Sequence, residues 1–334
     1  MRAVLLAVLA AAILGTPAQA QDNVSVQLDY VVRGTHAMFF VAKEKGYFAK
    51  QGINVTAIRR GTGSPNALRL VGNGDADFGF GDLPTLAVAR SQNVPVVALA
   101  AVNQHSPIAV LALATKHKLD KPQDLKGLNI GVQPSGSTYV FLKAFLKANG
   151  MSLDDIKQST VKPPYENYLL LGRVDAVPGY LDAEVPELEA KAGGPGSLSI
   201  MQGSKFGYLV YGSGLFTSEK MMAEHSDLVR RFVAAYLQAF NDVIKDPDEA
   251  ADLIVKDNPE YRQKKNVLLD QIKADVKYTF TSHDTKENGL GAMSRGTWER
   301  TISTLVDQGV MKQSTDAAKT FTDKYQSAAK APKL

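Results

Sequence analysis

Cysteine is missing altogether from the 334 residues. In an exported chain that excludes disulfides and thiol chemistry and leaves stability to the hydrophobic core. Long apolar runs are also missing after the first twenty residues, and spanning a bilayer takes roughly 20 apolar residues. Charge of one sign is nowhere concentrated: 38 Lys and Arg are scattered among 34 Asp and Glu, a formal net of +4. Without a basic block, or basic residues interleaved with aromatics, nucleic acid is not an expected partner. Catalytic patterns are wanting too. There is no Gly-x-Ser-x-Gly elbow, and His105, His117, His225 and His283 lack metal-ligand spacing. The Gly61…Gly63 pair lacks the third glycine of a dinucleotide fingerprint. No catalytic residue, metal or cofactor is therefore expected, and the chain reads as a non-enzyme.

What is there begins with a secretory signal. Arg2 is followed by the apolar run Ala3–Leu14 and by Ala18-Gln19-Ala20, a small-residue cleavage site. Cleavage after Ala20 is expected, leaving 314 residues, enough for two ordinary domains. The mature chain is expected outside the cytoplasm.

The stretch Leu28–Phe48 organises the rest. Val24, Val26, Leu28 and Tyr30 alternate with Ser25, Gln27 and Asp29, the period of a strand. After Arg33-Gly34, Thr35 is the expected N-cap of a helix through Met38–Ala42, with Gly46 just past its end. Strand and helix patterns then alternate: Ile53–Ile58, a helix opened by Ser64-Pro65, Phe78–Phe80, a helix after Asp82, and Val94–Ala101. That order predicts a mainly parallel sheet with helices on both faces.

A second set follows, with strands at Asn129–Gln133, near Val161, at Ala176–Tyr180 and at Leu198–Met201. The loop Pro134–Thr138 opens a helix through Val140–Phe145, and another helix runs from Asp182 to about Ala192. Ile108–Ala114 before, and Tyr208–Tyr211 with Leu215-Phe216 after, bracket this set and are expected as crossing strands side by side. The fold class is then α/β: two mainly parallel sheets in two lobes, joined by two hinge strands. Lobe 1 comprises 21–114 and 206–334, and lobe 2 comprises 115–205. From Leu228 apolar residues recur at offsets 4, 7, 8, 11, 12, 15 and 16, a one-faced amphipathic helix. A final helix carries Trp298, Ile302 and Leu305, and the tail Ala328–Leu334 is expected to be disordered.

In such folds ligands sit at the carboxyl ends of the strands. Tyr30, Arg33, Thr35 and His36 are therefore candidates in the first lobe. His36 either meets a ligand heteroatom or caps its own loop, and Tyr30 either stacks on a planar ligand or closes the core. Arg33 either pairs with an anion or lies in solvent. Ser64 is expected to cap its helix and also to face the cleft, and Asp82 is either an N-cap only or an acceptor for a ligand amine. From the second lobe come Ser135, Gly136, Ser137 and Thr138, which offer hydroxyls and free N–H groups at a helix N-terminus. Tyr165, Glu166, Tyr180 and Asp182 complete the candidate ligand-binding set.

Several segments, in order, resemble the periplasmic substrate-binding proteins of ABC importers, in the group for nitrate, alkanesulfonate, taurine and thiamine pyrimidine precursors. They are His36-Ala37 with Val41–Phe48, Gly63-Ser64-Pro65 with Ala67-Leu68, Gly74–Gly79, Asp124–Gly127 with Ile130-Gly131-Val132, and Gly172–Ala176. A His six residues after an aromatic is most similar to the branch that binds hydroxymethylpyrimidine-type precursors. That branch typically reads Trp, any, Pro, Asn, any, Asn, His. Tyr30–His36 keeps the aromatic and the His, and lacks the Pro and both Asn. The resemblance implies a monomeric receptor that delivers a small aromatic, heteroaromatic or anionic organic solute to a membrane permease and its ATPase. A taurine, alkanesulfonate or nitrate receptor is the alternative. An enzymatic alternative is a pyrimidine synthase that consumes its own His with pyridoxal phosphate. Those synthases carry a cysteine-rich iron site, which this chain lacks.

Overall fold

The computed structural model describes residues 21–162, 164 and 166–333. The expected signal peptide lies outside them. Ten strands are assigned: β1 (Asp22–Gln27), β2 (Ile53–Arg59), β3 (Phe78–Asp82), β4 (Val96–Ala101), β5 (Ile108–Leu113), β6 (Asn129–Val132), β7 (Lys157–Thr160), β8 (Ala176–Tyr180), β9 (Leu198–Gln202) and β10 (Ser213–Ser218). They form two five-stranded sheets, ordered β2-β1-β3-β10-β4 and β7-β6-β8-β5-β9. β10 runs antiparallel to both its neighbours in the first sheet, and β5 to both of its own in the second. The other strands of each sheet run one way. Each reversed strand is the one that follows a passage between the lobes.

Those passages differ from the expected hinge strands. Ile108–Leu113 is an inner strand of the second sheet, and Tyr208–Tyr211 has no strand assignment. The physical reason is that Ile108–Ala112 is an unbroken buried apolar run. A strand apolar on both faces needs a sheet neighbour on each edge and cover above and below. The chain instead crosses at 102–107 and 207–212, which hydrogen-bond side by side: Ser106 N donates to Val210 O (3.0 Å) and Gly212 N to Asn103 O (2.9 Å). We propose these two segments as the lobe limits, in place of 114/115 and 205/206.

The first sheet is covered on one face by the helices Ala37–Glu44 and Ser226–Lys245 and on the other by Ser64–Asn73 and Leu83–Ser91. Ser226–Lys245 forms because its apolar stripe buries Phe232, Tyr236, Phe240 and Val243 while Asp227 and Arg230 stay in solvent. Phe232 stacks on Phe78 of β3 with centroids 3.7 Å apart. Pro247 ends that helix and starts the next, whose N-cap Asp246 accepts from Glu249 N (2.9 Å). The C-terminal tail is ordered further than expected. Lys324–Ala329 is a helix with Tyr325 buried, and Leu290 N donates to Pro332 O.

Candidate functional site

The lobes meet over a narrow cleft with a free volume of about 20 Å³, lined by Asp29, Tyr30, Arg33, Gly63, Ser64, Gln133, Gly136, Ser137, Thr138 and Tyr180. The first five belong to the first lobe and lie past the carboxyl end of β1 or at the start of the helix Ser64–Asn73. The rest lie past β6, at the start of the helix Ser137–Ala148, or at the end of β8. Tyr30, Arg33, Ser64, Gly136, Ser137, Thr138 and Tyr180 are thus brought together on one cavity.

The β1 loop is shaped by Gly61. A Cβ there would sit 2.1 Å from Leu28 O and 2.4 Å from the Asp29 carbonyl carbon. Only glycine allows the backbone this close, and the contact sets Gly63 N to donate to Asp29 O (2.6 Å). Gly34–His36 then forms a 3-10 turn, not a loop capped by Thr35. Thr35 Oγ1 is buried with no hydrogen-bond partner, and the helix starts after His36.

His36 is fully buried and does not line the cleft. Its Nδ1 accepts from Arg33 N (3.1 Å), so Nε2 carries the proton and lies 3.0 Å from Asp29 Oδ1. The ring also meets Phe80 edge-on, with centroids 5.2 Å apart. Asp29 is the residue thereby presented, and sequence reasoning missed it by reading it as the polar side of a strand. Its place one residue before the strand-end aromatic was the available signal. Gln133, last in its expected strand, was missed for the same reason. Its Nε2 crosses the cleft mouth to Thr62 O (2.7 Å).

Ser64 is not the N-cap; Gly63 is. Ser64 Oγ instead accepts from Asp82 N (3.1 Å) and reaches Asp29 Oδ2 at 3.4 Å. Asp82 caps the helix Leu83–Ser91, accepting from Thr85 N (2.8 Å). It is buried under the cleft floor. Burial pushes its carboxyl up to about 7, helped by nearby Asp29 and opposed by the Thr85 bonds. Across the cleft, Ser137 Oγ and Tyr180 OH share a hydrogen bond of 2.9 Å. Burial, with Asp82 nearby, holds the Tyr180 hydroxyl well above its usual range.

Arg33 spans the lobes. Its guanidinium lies 4.3 Å over the Tyr30 ring centroid and pairs with Glu184 of the second lobe, whose other oxygen accepts from Tyr180 N (2.7 Å). Gln271 makes a second bridge: Oε1 accepts from Gly34 N (2.8 Å) and Nε2 donates to Ala183 O (2.7 Å). Two further expected contacts lie elsewhere. Ser135 is exposed at the rim, its carbonyl oxygen in van der Waals range of a Cβ built on Gly63. Asp182 is buried at the lobe junction, apart from the cleft lining. Tyr165 and the Glu166 side chain lie outside the described residues. Among those described, no cluster of three or more His, Asp or Glu suits a metal ion, and no helix is long and apolar enough to cross a membrane.

The chain is 26% identical over 311 residues to the formylaminopyrimidine-binding protein of Halalkalibacterium halodurans, covering 91% of this chain and 92% of that protein. It is 26% identical over 313 residues to the riboflavin-binding protein RibY of Chloroflexus aurantiacus, covering 91% and 86%. Its fold matches the alkanesulfonate-binding protein SsuA from Xanthomonas axonopodis pv. citri with a TM-score of 0.68 at 16% identity, covering 91% and 98%. The periplasmic binding-protein fold, two lobes around a cleft, is therefore the architecture of this chain. Residues 33–250 match the family profile described as NMT1/THI5 like, and the chain belongs to the NMT1/THI5-like family.

Proposed function

We propose that the chain is the periplasmic receptor of an ABC importer and that it binds one small heteroaromatic solute bearing N–H donors. The solute is handed to a membrane permease driven by its ATPase, and the receptor acts as a monomer without catalysis. The lobes close by hinge bending at 102–107 and 207–212. A ligand drives closure only by contacting both lobes, because it must bind the closed form better than the open one.

The observation that carries the ligand class is Asp29. Its carboxyl is partly open to the cleft, at 16% exposure, and has no Lys or Arg partner among the described salt bridges. The one guanidinium in the lining, Arg33, is already balanced by Glu184. A site with an acidic acceptor and a neutralised cation favours an amino or ring N–H and disfavours sulfonate or nitrate. Tyr30 and Tyr180 supply aromatic walls for a flat ring. The free volume of about 20 Å³ holds little more than one water, so any ring-sized solute requires the lobes to part. The relative named for a formylaminopyrimidine supports this reading. The N-terminus of the helix Ser137–Ala148 favours the anionic alternative, since it directs free N–H groups at the cleft.

A thermal-shift screen separates the two. A ligand at 100 times its Kd adds about 2.7 kcal/mol. Aminopyrimidines should stabilise the protein, and alkanesulfonates, taurine and nitrate should not. Stabilisation by the anions alone would overturn the ligand class.

A further inference from the structure

The lobes also meet beside the crossing segments, at a contact the cleft does not use. Asp182, in the turn after β8, faces Asp275 on the helix Lys265–Tyr278, which packs against Gly34–His36 of the first lobe. Both side chains are buried. Asp275 Oδ1 accepts from Asn103 Nδ2 and from Thr279 Oγ1, each at 2.6 Å. Asn103 belongs to a crossing segment, and its Nδ2 also reaches Asp182 Oδ2 at 3.5 Å.

This leaves Asp182 Oδ1 and Asp275 Oδ2, both buried, with no donor from any other group. The two carboxyls lie against the same Asn103 amide, 3.5 and 2.6 Å from its nitrogen, placed to satisfy each other's free oxygen. Two ionised carboxylates have no proton to donate, so one acid of the pair carries it. The charged groups around them do not supply a substitute. Arg33 acts on Asp182 from the β1 loop but is engaged by Glu184, and Asp29 on the same loop opposes it. From the helix Ser226–Lys245 the facing group is the neutral Tyr236 hydroxyl.

We propose that Asp182 and Asp275 form a proton-sharing latch, one acid from each lobe, which favours the closed form as the pH falls. Burial and the neighbouring carboxyl hold Asp275 well above the usual carboxylate range when the lobes are together. Parting the lobes hydrates both acids and returns them to ordinary behaviour. Closure therefore takes up a proton wherever the pH lies between the ordinary carboxylate range and the raised value of the closed pair. The stabilisation is complete below the ordinary carboxylate range and is lost as the pH rises through the raised value of the closed pair.

The absence of other cysteines permits a ligand-free test. Thr62→Cys with Gln133→Cys places a thiol pair across the cleft mouth, where the two native residues touch. The equilibrium between dithiol and disulfide, set by glutathione buffers from pH 8 to pH 6, reads how readily the lobes close. The same pair is carried by Asp275→Asn, whose amide donates to Asp182 at any pH, and by Asp182→Asn, which does so from the other lobe. Thiol ionisation is common to all three and cancels in their ratios. The closing tendency of the parent relative to each variant should rise as the pH falls from 8 to 6, by up to about tenfold per unit. Parallel pH profiles in parent and variants would overturn the latch. Because no ligand is used, that failure leaves the proposed solute class untouched, and failure of the solute screen leaves the latch untouched.

Discussion

His36 holds Asp29 from behind, Nε2 to Oδ1 at 3.0 Å, while its other ring nitrogen ties down the backbone of Arg33. The histidine is fully buried and the aspartate reaches the cleft, so one loop turns one of the pair to the core and the other to the cavity. Asp29→Asn should weaken the best aminopyrimidine by about 10- to 100-fold, the range of a hydrogen bond to a charged group. His36→Ala should weaken it about tenfold through misplacement of Asp29. Calorimetric titration checks both, and unchanged affinity in Asp29→Asn would remove it from the site.

Glu184→Gln tests the bridge to Arg33. Glutamine still accepts from Tyr180 N, so the strand end survives, but the guanidinium loses its counter-charge. The expected outcome is a more open average form by small-angle scattering and a gain of alkanesulfonate binding in the thermal-shift assay. An unaltered scattering profile with no anion binding would mean that the pair does not set the charge selectivity of the cleft.

Gly61→Ala should disrupt the β1 loop, because the added methyl meets the Leu28 carbonyl at 2.1 Å. Overpacking of this kind costs about 1–3 kcal/mol. The midpoint of urea unfolding should fall, with ligand binding lost in parallel.

Asp82 makes the fold sensitive to pH. Its raised carboxyl keeps its proton in the folded chain up to about 7, whereas the unfolded chain releases it near 3.8. Between those values the unfolded state binds fewer protons, so rising pH lowers stability by about 1.4 kcal/mol per unit, approaching about 4 kcal/mol. Asp82→Asn keeps an acceptor for Thr85 and removes the titration. It should raise Tm at pH 8 and leave it nearly unchanged at pH 4. Equal shifts at both values would show that Asp82 is not the source.

Much of this architecture is legible in the residues themselves. Strand and helix alternate from Val24 to Ala101, and the stripe through Phe232, Tyr236 and Phe240 announces its buried face. Tyr30, Ser64 and Ser137 line the cleft, the strand-end position that the α/β pattern marks in the sequence. Asp29 was hidden by the same alternation that revealed β1: the strand stops at Gln27, so Asp29 is not on the pleat. His36 has the chemistry of a ligand contact, and only its depth assigns it to support. Ile108–Leu113 reads identically as a crossing strand or an inner one, since an apolar run does not say which sheet covers it. Asp182 looked like a helix start facing the cleft; its partner lies 93 positions away on a helix that local pattern does not connect to it.

The hydrogen bond from Ser106 to Val210 brings the two ends of the second sheet's segment within one backbone contact of each other. A segment whose ends already touch can be removed and its stumps rejoined by a tight turn with little added loop-closure cost. The second sheet with its helices therefore hangs between two chain positions one hydrogen bond apart, and every strand of the first sheet lies outside that segment.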